Sequence, residues 1–210
     1  MSEAEMTTNV LSALANLMLA GAAVAAAIAA FRGLDTWKNQ SVWAADNDLA
    51  RRILVALYRY RNSLYAVRHP AMYNGEMKID ETDAKGLSPD QIRQQGVVMA
   101  YVRRWERHQP LEDALDALLL ESDAVWGKPL SEKVATLKAL QRELLGYIRL
   151  HLDANYRGQT ALADSYREIL RTKRDILYDH MNDDDVFRVD FEASMQPVEA
   201  YLRSKLGREK

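Results

Sequence analysis

The densest gathering of side chains able to do chemistry is Asp179, His180, Asp183, Asp184 and Asp185, four carboxylates and an imidazole within one short stretch. Hard cations favour several carboxylate oxygens, and an imidazole can join them. The spacing is not that of a calcium loop, because alternating ligands, a turn glycine and a terminal Glu are all missing. The run reads instead as a solvated helix boundary with a carboxylate cap. His69, His108 and His151 each stand without a second His, an HExxH pattern or an evident carboxylate triad, and read as surface or helix-end residues.

Phosphate and acyl chemistry fare no better. Gly75 and Gly86 lack the strand-glycine-helix setting of a phosphate loop. No GxSxG is present, although Ser and Thr nucleophiles with partners distant in sequence stay open. With no Cys in the chain there is no thiolate nucleophile, disulfide or Cys-ligated zinc. No catalytic residue, metal ligand or cofactor is assigned, and a hydrolase or metal enzyme with an unfamiliar site is the least supported reading.

The strongest signal lies elsewhere. Between Met6 and Phe31 there is no charged side chain, and from Val10 onward the stretch is almost entirely Ala, Leu, Val, Met and Ile. As a helix rising about 1.5 Å per residue, residues 10–31 would extend roughly 33 Å, enough for a hydrocarbon core of about 30 Å. Val10, Leu11, Leu14, Leu17, Leu19, Val24, Ile28 and Phe31 are the anchoring side chains, and Trp37 is placed to settle at the headgroup level. Trp43, about two turns farther on, reads as a packing residue. Ten of the residues in this stretch are Ala, which weakens insertion, so a packing helix of a soluble oligomer is the competing reading. A cleaved signal peptide is disfavoured because the lead-in carries Glu3 and Glu5 and no basic residue.

Charge sets the expected orientation. Arg32, Lys38, Arg51, Arg52, Arg59, Arg61 and Arg68 follow the span against Asp35, Asp46 and Asp48, whereas the preceding flank is acidic. By the positive-inside rule the N-terminus is translocated and residues 33–210 stay in the cytoplasm. From Arg32 onward the chain holds all 28 Lys and Arg, and Glu3 and Glu5 alone of the 30 acids lie before it, so no bulk basic field calls for nucleic acid. Small residues four apart, Ala22, Ala26 and Ala30, with Gly21 and Ala25, would let spans approach closely, and Asn16 could cross-link them. A homo-oligomer in the lipid bilayer is the expected consequence.

Beyond the span the hydrophobic period is helical. Leu49, Ile53, Ala56, Leu57, Tyr60, Leu64 and Val67 recur at steps of three and four until His69-Pro70 ends the pattern. A long loop is expected over about 70–88. Ser88-Pro89-Asp90-Gln91 is a capping box with Pro in the first turn. Pro110 is expected to kink or divide the helix it starts, and Trp126-Gly127-Lys128-Pro129 to stop it. Ser131 is expected to open the next helix, with a stripe from Val134 to Leu152. Leu162 to Leu177 continues the helical pattern, and Asn182 to Asp185 caps a last helix that Pro197 bends. The fold class is all-α: a single N-terminal transmembrane helix, residues 1–32, then a cytoplasmic domain, residues 33–210, packed as an antiparallel bundle of four or five helices.

Taken together, Thr36-Trp37-Lys38, Gln40, Ala50-Arg51-Arg52, Tyr58, Arg61, Val67-Arg68, Pro70, Arg104-Trp105 and Trp126-Gly127 resemble the pattern of an uncharacterised family of small bacterial proteins with one N-terminal span and a helical cytoplasmic domain. The resemblance implies a bacterial inner-membrane protein and carries over no activity, substrate or binding residue. The expectation is a non-enzymatic, membrane-anchored scaffold that self-associates and meets an unknown cytoplasmic protein partner. The alternative is a membrane effector whose small-residue span oligomerises and perturbs the bilayer on a signal from the bundle.

Overall fold

The computed structural model describes residues 3–157, 160–182 and 184–207, with side chains from Asn16 onward except Ala25, Ala29, Gly33, Asp35, Thr36, Thr160 and Ala161. Every regular element among them is a helix: α1 (Glu3–Arg68), α2 (Asn74–Met77), α3 (Glu81–Ala84), α4 (Pro89–Trp126), α5 (Pro129–Asn155), α6 (Thr160–Arg171) and α7 (Val186–Lys205). α1 passes through Gly33 unbroken, as a local cost of about 1 kcal/mol permits. Packing divides the chain into two units, Met1–Asp48 and Leu49–Lys210, a boundary that falls later than the end of the apolar run.

In the first unit every described side chain from Asn16 to Ala45 is exposed. The second unit holds the core. Leu49, Ile53, Leu57, Tyr60, Leu64 and Val67 of α1 are buried, and they join Leu115 of α4, Leu137 and Leu144 of α5, and Phe187, Phe191 and Val198 of α7 in one cluster. The helical stripe read from the sequence is therefore the seam along which α1 enters the core.

Local chemistry fixes the helix ends. Ser88 and Gln91 close the expected capping box: the Gln91 N–H donates to Ser88 Oγ at 3.3 Å, and the Ser88 N–H donates to Gln91 Oε1 at 2.8 Å. Gly127 ends α4 at φ 75°, a left-handed backbone that a side chain would strain. Asp185 caps α7 by accepting from the Arg188 N–H at 2.8 Å.

Three expectations are corrected. Pro110 does not divide α4, and α7 runs on through Pro197. Both prolines, and Glu106 and Ala193 four residues before them, are exposed, so water can replace the missing donor. Ser131 does not open α5, which starts at Pro129; its hydroxyl donates instead to Asp123 Oδ1 at 2.6 Å, stitching α5 to the end of α4. The stretch 70–88 carries two single-turn helices, α2 and α3. α6 stops at Arg171, so Ile176 and Leu177 reach the core from a non-helical segment.

Candidate functional site

Three features of the described residues bear on function: the uncovered apolar helix, the buried polar networks, and a groove between α1 and α4. Leu17 is 73% exposed and Phe31 72%, and Leu19, Val24, Ile28 and Trp37 are likewise open. Trp43, expected to pack, is exposed too. Asn16, Ala22, Ala26 and Ala30 are exposed, and apart from its chain neighbours and the adjoining helix backbone nothing lies within 4 Å of where a Cβ on Gly21 would stand. Val10, Leu11 and Leu14 lie in α1, but their side chains and that of Ala25 fall outside the described residues. One helix is thus long and apolar enough to cross a membrane, with a mean hydropathy of 1.9 over its best window and none of that window buried.

Two carboxylates of the acidic run, Asp179 and Asp185, are taken up by structural contacts. Arg68, 1% exposed, places its guanidinium against Asp185 at 2.8 and 2.9 Å and donates to the carbonyls of Ile176 at 2.8 Å and Tyr178 at 2.7 Å. Asp185 also accepts from the backbone N–H groups of His180 and Arg188. Burial alone would raise the Asp185 carboxyl, but these donors outweigh it and hold the group at about 2. Asp179 receives the Met181 N–H and the Arg188 guanidinium. Asp183 lies outside the described residues, and among the described ones no group of three acidic or His side chains is arranged to hold a metal. Arg68 therefore departs from the solvated flank on which its sequence neighbours Arg52 and Arg61 meet Glu121 and Glu192.

A second buried arginine, Arg104, braces the start of the stretch 70–88. Arg104 donates to the carbonyls of His69 at 2.6 Å and Ala71 at 2.5 Å, and its guanidinium meets Glu76 at 2.9 Å. It thereby satisfies carbonyls just past the end of α1, which a helix terminus otherwise leaves orphaned.

The histidine reading needs correction at His108, which has no exposed surface. Its Nδ1 lies 2.7 Å from Ser63 Oγ, and Nε2 faces Glu112 Oε2 at 4.0 Å without a hydrogen-bond partner. The order Ser63, His108, Glu112 looks like a relay for a nucleophile. The Ser63 hydroxyl also donates to the Tyr60 carbonyl at 2.8 Å, so its single proton is not committed to the ring. Glu112 is committed elsewhere, accepting from Lys138 at 3.0 Å and Gln141 at 2.6 Å, while Gln141 accepts from the Tyr60 hydroxyl at 2.5 Å. Burial, aided by Lys138 and opposed by Glu112, pulls the His108 ring down to about 4. The spacing of His108 and Glu112, four apart on one helix, was the available signal; what hid the contact was that Ser63 comes from α1.

The groove is the feature no single segment announces. Arg51, Arg52, Val55, Ala56 and Arg59 of α1 face Leu111, Ala114 and Leu118 of α4 across about 440 Å³. Its lining is mostly apolar, and its α1 edge is basic.

Comparison with family models, curated proteins and solved structures finds no match for this chain.

Proposed function

We propose that this chain is a non-enzymatic scaffold of the bacterial inner membrane, anchored by the apolar half of α1, with residues 49–210 in the cytoplasm as an interaction module. The observation that carries the reading is the uncovered apolar helix from Asn16 to Phe31. Each large apolar side chain left in water forgoes roughly 1.5–3 kcal/mol, a penalty that a bilayer removes. Self-association through the same chain, and a cytoplasmic protein partner, complete the proposal.

Ion pairs support an antiparallel bundle for the second unit. Arg52 meets Glu121 while Ser63 meets His108, so α1 and α4 run oppositely. Ser131 meets Asp123 while Lys138 meets Glu112, and Arg61 meets Glu192 while Arg68 meets Asp185, giving α5 and α7 the same alternation. A bundle so braced suits a rigid presenting surface.

An alkaline carbonate wash of membranes from expressing cells tests the anchor: the full chain is expected to stay in the pellet, and its release would overturn the proposal. Since the chain has no Cys, Asn62→Cys reports orientation. In intact spheroplasts it is expected to react with a permeant maleimide and resist an impermeant one; the reverse pattern would refute the cytoplasmic placement.

A further inference from the structure

A smaller cleft, of about 200 Å³, lies between α4 and α5, lined by Tyr101, Val102 and Trp105 of the first helix and Leu145, Ile148 and Leu152 of the second. Tyr101, Ile148 and Leu152 are buried, whereas Val102, Trp105 and Leu145 are half-buried, so aromatic and aliphatic surface is open to a ligand there. The volume falls short of the roughly 300–1,000 Å³ of a pocket for a drug-sized molecule and suits a single aromatic ring with a short tail.

Three charges also line the cleft: Glu106 of α4, Arg149 of α5, and Arg157 just past the end of α5. Arg157 is taken by Asp153 at 3.5 Å. Glu106 and Arg149 are exposed, and neither side chain makes an ion pair or hydrogen bond among the described residues. The charged neighbour that each has at helical spacing is engaged elsewhere. Arg103, three residues before Glu106, donates to the Glu76 carbonyl at 2.6 Å, and Asp153, four residues after Arg149, holds Arg157. Farther along the same two helices Glu112 and Asp116 do meet Lys138, so charges from α4 and α5 close on one another there but not at the cleft.

We infer that the α4–α5 cleft binds a free α-amino acid with an aromatic side chain, its ammonium held by Glu106, its carboxylate by Arg149, and its ring placed against Tyr101 and Trp105. An unmatched carboxylate and an unmatched guanidinium on one apolar slot are the complement of a zwitterion that carries an apolar group. A plain carboxylic acid would be opposed by Glu106 and a plain amine by Arg149, so each charge selects against the ligand that satisfies only the other. Two aromatic walls favour a ring over a branched chain. The inference goes beyond the scaffold reading and does not depend on it: the carbonate wash decides the anchor, and ligand titration decides this site.

The test is isothermal titration calorimetry of the full chain in mild detergent with L-phenylalanine, with 3-phenylpropionate, which lacks the ammonium, and with 2-phenylethylamine, which lacks the carboxylate. L-phenylalanine is expected to bind saturably with a Kd of about 1 mM or below, and both one-charge analogues about tenfold more weakly or worse. Glu106→Gln and Arg149→Gln alter exposed side chains, so helix content by circular dichroism is expected to be unchanged. Each is expected to weaken L-phenylalanine about tenfold or more, whereas Glu106→Gln should not weaken 3-phenylpropionate and Arg149→Gln should not weaken 2-phenylethylamine. No saturable heat from L-phenylalanine up to about 10 mM would overturn the inference. Either analogue binding as tightly as L-phenylalanine would refute the zwitterion. Affinity for L-phenylalanine that both variants leave within about threefold of the parent would place binding outside this cleft and refute the assignment.

Discussion

Acid should loosen the helical unit through one residue. The His108 ring is wholly buried beside Tyr60, Trp105 and Ser63, with Lys138 and Glu112 as its charged neighbours. Burial is the largest influence and disfavours the charged ring, so its folded-state value falls from 6.5 to about 4. As pH drops, the unfolded chain takes up the proton first. The stability contributed by the neutral ring is thus complete above about pH 6.5 and is lost as pH falls toward 4. Between pH 7.5 and 5 the loss comes to about 2 kcal/mol for this single group. Glu112 is held below its usual value by Lys138 and Gln141 against the opposing effect of burial, and so titrates mostly beneath this window. His151, whose ring burial also lowers, adds a smaller slope of the same sign.

His108→Asn retains a hydrogen-bonding group for Ser63 and removes the titrating ring. The readout is the difference in stability between the two pH values, because the smaller side chain lowers stability at both. Denaturant unfolding of the full chain in mild detergent, followed by fluorescence, suits the question, since the Trp105 ring centroid lies 5.2 Å from that of His108. The parent is expected to lose about 2 kcal/mol more than the variant on going from pH 7.5 to 5. Equal losses, or a His108 ring resonance that titrates near 6.5 in the folded protein, would refute the reasoning.

Two further outcomes follow from the buried contacts. Arg68→Ala strands the Asp185 carboxylate and the carbonyls of Ile176 and Tyr178, so a loss of about 3–5 kcal/mol is expected at neutral pH by denaturant unfolding, and a loss under 1 kcal/mol would contradict the bracing role. Glycines in α4 and α5 should respond oppositely to Ala. A Cβ at Gly96 would meet the Met77 carbonyl oxygen at 2.7 Å, so Gly96→Ala is expected to destabilise by about 1–3 kcal/mol, whereas Gly146 is exposed with open space around it and Gly146→Ala should gain up to about 1 kcal/mol. Thermal melts of the two variants beside the parent check both signs.

The features legible in the sequence are those set by neighbours along the chain. The apolar run, the stripe from Leu49 to Val67, the Ser88 capping box, the Gly127 stop and the Asp185 cap all depend on residues within a turn or two, where period, capping and backbone preference act directly. Pro110 does not divide α4, because a missing donor divides a helix where nothing replaces it, and at this exposed position water can. Polar residues whose partners come from another helix were the ones misplaced. Arg68 is buried because Asp185, more than a hundred positions away, supplies the charge that lets a guanidinium go inside. His108 looked like a surface residue until Ser63 supplied a hydrogen-bond partner and α5 supplied Lys138 for Glu112. Chain composition and local period determined an all-helical protein with one uncovered apolar segment. Which polar groups go inside only the tertiary structure decided, because desolvating a charge depends on a partner that sequence distance does not reveal.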